Sequence, residues 1–226
     1  GHSAAAKLLR TFANQTYENK PAGAIVRELA DQVGMAVASA DDGITFPAYV
    51  VDGRRSFYRH MYDLAELCGF DLYVNADGEL VFERFTGGNT VHVFTYGEQI
   101  IEVSLQEQPA QAVTVQAWGE SPGGSQAEEA WAWLTKDFSG LKGSAGSGNS
   151  TLLRERSALR TAQAAQSAAT AAQVRLARLT TRGRLLAPGQ PQVKLGDALR
   201  ITDAPDDRLN GTFQVRSVRH RITKIG

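Results

Sequence analysis

Residues 56–85, "SFYRHMYDLAELCGFDLYVNADGELVFERF", contain the signals of a helix followed directly by a β-hairpin. Ser56 is a favourable N-cap residue, apolar residues follow it at helical spacing, and Gly69 stands where a left-handed C-cap is expected. Apolar and polar residues then alternate on both sides of the turn at 75–78, as they do in a hairpin. The stretch therefore predicts a helix between Ser56 and Gly69 with two antiparallel strands behind it.

A second amphipathic helix is predicted upstream, in "NKPAGAIVRELADQVGM" at 19–35. Pro21 is a typical first helical residue and Gly34 a typical stop. The opening Gly-His-Ser resembles the remnant of a cleaved affinity tag, so 1–19 is assigned to that remnant and a lead-in. Residues 20–86 are then expected to form a small helix-helix-hairpin domain.

The remainder, 87–226, is predicted to be an antiparallel β-barrel domain interrupted by a long helix, which makes the fold class α+β. Strand-like alternation occurs on both sides of the interruption. Residues 120–150 end in the glycine- and serine-rich "GSAGSGNS" and are expected to be a flexible insertion. Residues 151–181 contain no proline and are rich in alanine, which predicts a helix of about 27 residues, roughly 40 Å long.

The closing stretch "GTFQVRSVRHRITKIG" at 211–226 is basic and alternates like a strand. A bulge after Val215 would place His220 inward, leaving Arg219 and Arg221 on the outer face. Such a row of cations is usually a solvated face and less often a docking surface. We therefore predict Arg219 and Arg221 as a possible partner-docking face.

Composition restricts the classes of partner. The 24 Lys and Arg residues balance 24 Asp and Glu residues, so nothing in the net charge favours nucleic acid. The single cysteine, Cys68, excludes an intrachain disulfide framework and fits a reducing compartment, so we expect the protein to be cytoplasmic when made. No run of about 18 apolar residues occurs, and no membrane partner is expected.

The histidines do not form a metal-binding pattern. His60, His92 and His220 lie in separate segments, without the HxxxH-type spacing that places two ligands together. His60 flanks the apolar face of its predicted helix, which favours a partly buried helix residue over a catalytic base. We expect no metal site and no cofactor.

The carboxylate pairs could suggest glycosidase chemistry. Asp41-Asp42 and Asp206-Asp207 both lie in predicted turns, where paired aspartates are common. The chain also contains no GxSxG, P-loop or Rossmann motif. We expect no catalytic residue and therefore no enzyme.

The order of several segments resembles the phage late control D protein family, the baseplate hub proteins of contractile tails, which are related to the hub part of type VI secretion spike proteins. The resemblance covers about 20–224. It depends on the helix-hairpin stretch at 49–85, Tyr96-Gly97 before a strand, Gly196-Asp197, and the closing "NGTFQVRSVRH" at 210–220.

The resemblance implies a structural protein of a phage or prophage tail, or of a related injection machine. Family members form homotrimers whose barrel-like domains join the tail tube to the spike. It further implies that 20–86 is the small domain and 87–226 the second of two barrels, the first being expected before residue 1. Two alternatives remain open: a peptidoglycan-cleaving tail enzyme, and a nucleic-acid-binding β-barrel that uses Arg219 and Arg221.

Overall fold

The computed structural model describes residues 5–88, 90–108, 113–119 and 142–222. Its helices are α1 (Ala5–Arg10), α2 (Ala22–Asp31), α3 (Phe57–Cys68) and α4 (Ala162–Arg178). Its strands are β1 (Gln15–Pro21), β2 (Val37–Ala40), β3 (Thr45–Val51), β4 (Asp71–Val74), β5 (Leu80–Glu83), β6 (Val91–Thr95), β7 (Glu102–Glu107), β8 (Val113–Trp118), β9 (Gly143–Ala145), β10 (Ser150–Glu155), β11 (Thr181–Leu186), β12 (Ala198–Thr202) and β13 (Gly211–Gln214).

The chain divides into two compact units. The first unit comprises 1–84 and 110–178, and the second comprises 85–109 and 179–226. This division differs from the predicted domains, since 110–178 belongs with the helix-helix-hairpin part. The physical reason is that the β8-to-α4 segment carries its own apolar face, which joins the first unit's core through residues such as Val115, Leu159 and Ala169.

The two predicted helices of the first unit are confirmed. In α2 one face is fully buried through Ile25, Val26 and Leu29. In α3 the Ser56 hydroxyl accepts a hydrogen bond from the Arg59 amide at 3.4 Å, and Gly69 closes the helix with φ 71°. A left-handed C-cap is a conformation that glycine adopts without steric cost.

The strands behind α3 pair as neighbours in one small sheet. β4 and β5 run antiparallel, with Asp71 opposite Glu83 and Val74 opposite Leu80. β2 completes this sheet by pairing in parallel with β5. A separate antiparallel pair is formed by β1 and β3.

The predicted long helix is wrong in its first part. Ser150–Glu155 is strand β10, which pairs in parallel with β8, and α4 has 17 residues and begins only at Ala162. The Thr161 hydroxyl accepts a hydrogen bond from the Ala164 amide at 3.1 Å, as an N-cap residue does. The absence of proline permits a helix but does not impose one, and pairing with β8 decides the conformation of 150–155.

The glycine-rich end of the predicted flexible insertion is ordered. Gly143–Ala145 pairs antiparallel with β8 as β9, and Ser144 exchanges two hydrogen bonds with the Gln166 side chain, at 3.1 and 2.9 Å. A Cβ atom on Gly143 would lie 2.2 Å from the Ala165 backbone, so glycine here permits close approach of α4. Most of the predicted insertion, 120–141, and the predicted tag remnant at 1–3 lie outside the described residues.

The second unit contains β6, β7, β11, β12 and β13. Its sheets have the orders β13-β12-β6 and β11-β7. Across the described residues the strands form five sheets of two or three strands, some pairs being parallel, and no closed barrel occurs among them. The α+β class is confirmed, whereas the antiparallel barrel stays a prediction.

Candidate assembly surfaces

Arg219 and Arg221 lie beyond the last strand. β13 ends at Gln214, and both arginines are exposed without regular secondary structure around them. The predicted inward position of His220 is wrong, because its side chain is exposed as well.

The closing strand ends early because its partner ends. The last backbone hydrogen bonds between the two segments join Val215 to Gly196 and Asp197, at 3.1 and 2.9 Å. The segment before β12 forms a turn, in which the Asp197 amide donates a hydrogen bond to the Lys194 carbonyl at 3.3 Å. Residues past Val215 therefore run beyond the end of β12, and the role of Arg219 and Arg221 in docking stays a prediction.

The largest apolar exposure on a regular strand of the second unit lies on β6. Val91 and Val93 are 49% and 55% exposed, whereas Phe94 is buried and stands opposite Ile201 of β12. β6 is an edge strand of its three-stranded sheet. An exposed apolar edge strand is a site at which another chain can pack or pair.

The second sheet of this unit is apolar at one end too. Ile101 is 67% exposed and Leu186 is 49% exposed, and the Ile101 amide donates to the Leu186 carbonyl at 2.8 Å. Both sheets of the second unit thus expose aliphatic side chains where strands are paired on one side only. These two regions are the candidate assembly surfaces. Sequence alternation detected the strands, but it could not say which face another part of the chain would leave uncovered.

His92 and Asp197 form an ion-pair geometry within the second unit, with 2.8 Å between Nε2 and Oδ2. The same carboxylate oxygen accepts a hydrogen bond from the Lys194 amide at 2.9 Å. Asp197 therefore fixes both the Gly196-Asp197 turn and the position of the β6 histidine. This contact explains the Gly-Asp pair structurally and does not require a catalytic role.

His60 is fully buried and takes part in a polar network of the first unit. Its Nε2 donates to the Asp52 carbonyl at 3.1 Å, which leaves Nδ1 to accept from Arg55 Nη2 at 3.4 Å. Burial lowers the pKa of His60. The hydrogen bond to the Asp52 carbonyl raises this pKa and the neighbouring Arg55 guanidinium lowers it, and the net shift is downward. A neutral, fully buried imidazole is a structural residue here, more deeply buried than the sequence predicted.

The carboxylate pairs stabilise turns. Asp42 Oδ1 forms an ion pair with Arg27 at 2.8 Å, while Asp41 Oδ2 accepts from the Arg84 amide at 3.0 Å. Asp206 caps the short 3-10 turn that follows it and binds Arg208 at 2.6 Å, and these hydrogen bonds to Arg208 lower the pKa of Asp206. Each of these three aspartates thus binds an arginine: Asp42 and Asp206 bind its side chain, and Asp41 binds its backbone amide.

The described residues show no arrangement for binding a metal ion or for crossing a membrane through a helix. No group of three or more His, Cys, Asp or Glu side chains within those ranges is arranged to hold a metal ion. Cys68 is buried, and burial raises the pKa of its thiol to about 11. Of the helices described, none has the length and apolar character needed to cross a bilayer.

The fold is similar to those of three solved structures. The fold matches the 43 kDa tail protein of prophage MuSo2 from Shewanella oneidensis, with a TM-score of 0.70 at 15% identity, over 95% of this chain and 66% of that one. It also matches the tail protein from Neisseria meningitidis MC58, with a TM-score of 0.64 at 12% identity, over 93% of this chain and 65% of that one. A third match is a chain of the virion of a native gene transfer agent particle, with a TM-score of 0.62 at 18% identity, over 88% and 44%.

The chain belongs to the Alg8 N-terminal domain family, whose sequence profile matches residues 2–224. No curated protein sequence matches it. The chain spans less than two thirds of the length of each of the three solved structures. The narrower resemblance to the late control D family stays a prediction.

Proposed function

We propose that this chain is a structural part of a phage or prophage tail, or of a related injection machine. The observation that carries the proposal is the shared fold over 95% of the chain with the MuSo2 prophage tail protein. In this role the protein is made in the cytoplasm and becomes part of the tail when the particle assembles. In this role it holds neighbouring subunits in position and does not catalyse a reaction.

We further propose that it acts as a baseplate hub, assembling as a homotrimer between tail tube and spike. The exposed valines of β6 and the apolar end of the β7–β11 pair support this proposal, since sheets of two or three strands gain stability from a further layer or strand. In the assembly, strands of adjoining barrel-like domains would cover these edges. Arg219 and Arg221 would then be available for an acidic surface of tube or spike.

Sedimentation of the full-length protein over a wide concentration range tests self-association. We expect species approaching three times the mass of one subunit, and we expect the double variant V91D/V93D to remain monomeric because it places charges on the β6 surface. The matched control is V50D/L153D, which alters two comparably exposed residues, 54% and 59%, in the first unit. A wild-type chain that stays monomeric, or a V91D/V93D chain that associates like wild type, would contradict the trimer.

The docking role of the arginines has its own test. Charge reversal in R219E/R221E should leave self-association through β6 unchanged but weaken binding to isolated tail tubes, and the wild-type binding should fall as salt is raised. If R219E/R221E bound tail tubes as strongly as wild type, Arg219 and Arg221 would not be part of the interface.

The proposal assigns no catalytic step to the chain. Three of the aspartates that suggested glycosidase chemistry, Asp41, Asp42 and Asp206, form hydrogen bonds or ion pairs with arginines, which supports this assignment. A zymogram with purified peptidoglycan should therefore show no clearing by the wild-type chain. Clearing that disappears when Asp41 and Asp42 are replaced by Asn would overturn the assignment and favour the tail-enzyme alternative.

A further inference from the structure

A small pocket in the first unit lies where β10 and the turn after it meet α3 and α4. The pocket is lined by Glu66, Leu67, Arg154, Arg156, Leu159, Ala168, Ala172 and Arg175. Three of these side chains are arginines and one is a carboxylate, so the lining carries an excess of positive charge.

One arginine of the pocket has its carboxylate partner. Arg175 Nη1 donates to Glu66 Oε1 at 2.5 Å, and its Nη2 donates to the Tyr62 hydroxyl at 3.1 Å. This pair connects α4 to α3. It also shows that the pocket wall accommodates an arginine and a carboxylate in direct contact.

Arg154 and Arg156 have no such partner among the described residues. Arg154 is partly buried, and its Nε is buried without a hydrogen-bond acceptor. Arg156 donates to the Glu155 backbone carbonyl at 3.1 Å, and neither guanidinium lies within ion-pair distance of a described carboxylate. A buried N–H group of a charged side chain that lacks an acceptor destabilises the isolated protein.

We propose that this pocket binds the carboxylate of an acidic side chain presented by a partner protein. A guanidinium offers parallel N–H groups that match the two oxygens of a carboxylate, and neither Arg154 nor Arg156 has a carboxylate partner among the described residues. The Glu66 carboxylate in the same wall opposes a doubly charged phosphate more than a singly charged carboxylate. The pocket is also small, so it suits one such group better than a nucleotide or sugar.

This site is separate from the surfaces proposed for self-association. It lies in the first unit, whereas the exposed valines of β6 belong to the second. Failure of carboxylate binding therefore leaves the trimer test unaffected, and a monomeric chain can still bind a carboxylate.

The probe is a hexaglutamate peptide with blocked termini, titrated into the full chain and followed by NMR shifts and calorimetry. We expect saturable binding that weakens as salt is raised, with shifts concentrated around Arg154, Arg156 and Arg175. R154M should weaken binding by roughly tenfold or more, because it removes a charge-assisted hydrogen bond at the pocket. The matched control is R184M, at an exposed arginine of the second unit, which should bind like wild type.

Three results would overturn the proposal: binding of equal strength by R154M and wild type, equal binding of a blocked hexaglutamine peptide, and preferential binding of inorganic phosphate at these arginines. R154K keeps the charge but loses the planar fork, so it is the second variant if R154M does not fold. Its binding should also be weaker than that of wild type. Wild-type affinity in R154K would exclude recognition by the guanidinium fork.

Discussion

The two units of the chain differ in how much apolar surface they bury. The first unit has a continuous core that includes Phe46, Phe57, Leu64 and Phe82, all at most 1% exposed. The buried apolar residues described in the second unit are Phe94, Ala198, Ile201, Ala204 and Val215. The first unit thus has a core built from helices and sheets together. The buried residues described in the second unit come only from the β13-β12-β6 sheet and the segments next to it, and β7 and β11 contribute none.

This difference agrees with the proposal that the second unit is covered by neighbouring subunits. Small sheets without a covering layer have low stability on their own, because the apolar area they bury barely offsets the entropy of ordering the chain. The exposed Val91 and Val93 of the second unit agree with that expectation. In the first unit α4 supplies the missing layer, since it packs over β8 and β9 with its alanine face.

The largest effect is expected from truncating the first unit's core. L64A removes a fully buried side chain and should lower the free energy of unfolding by about 3–5 kcal/mol. I201A, in the smaller core of the second unit, should cost about 2 kcal/mol, near the lower end for such truncations. Urea denaturation followed by circular dichroism measures both. If I201A lowered the free energy of unfolding as much as L64A does, the second unit would not have the weaker core that the burial pattern indicates.

L153A is the control for these truncations. Leu153 is 59% exposed on β10, so its removal should change the free energy of unfolding by no more than about 0.5 kcal/mol.

A smaller effect is expected at the close contact between β9 and α4. G143A would place a Cβ atom 2.2 Å from the Ala165 backbone, so the helix must shift, and we expect a loss of about 1–3 kcal/mol. G189A has nothing within 4 Å of the added atom and should be near neutral. Thermal unfolding of both variants is the measurement. Equal Tm values would mean that α4 does not pack against β9 as tightly as the structure has it.

The smallest effect concerns pH. Because burial lowers the pKa of His60, the unfolded chain binds a proton more readily, so stability should be constant above about pH 6.5 and should fall as pH drops below it. H60Q should flatten this part of the pH profile of Tm, whereas H220Q, at an exposed histidine, should retain it. A wild-type slope that persists in H60Q would assign the dependence to other groups.

Local signals in the sequence were sufficient for α2 and α3. Ser56 and Gly69 define both ends of α3, and the apolar spacing of α2 predicts the face that is buried. Local signals were insufficient for 150–155, which was predicted as the start of a helix, and for 143–145, which was predicted as a flexible linker. Both segments are strands because they pair with β8, and this pairing has no local signature in the sequence. The Arg154 pocket was missed for the same reason, since it joins α3 residues to β10 and α4, which lie far from α3 in the sequence.

The α+β class, both ends of α3 and the neutral charge balance follow from the amino-acid sequence alone, because caps and periodicity are local and the charge balance needs no structure. Three features required the packed chain: 110–178 belongs to the first unit, His220 is exposed, and Val91 and Val93 remain uncovered. The physical reason is that strand pairing and burial depend on which distant segment supplies the opposite face, and alternation along one strand is the same whether its outer face meets water, a helix or another subunit.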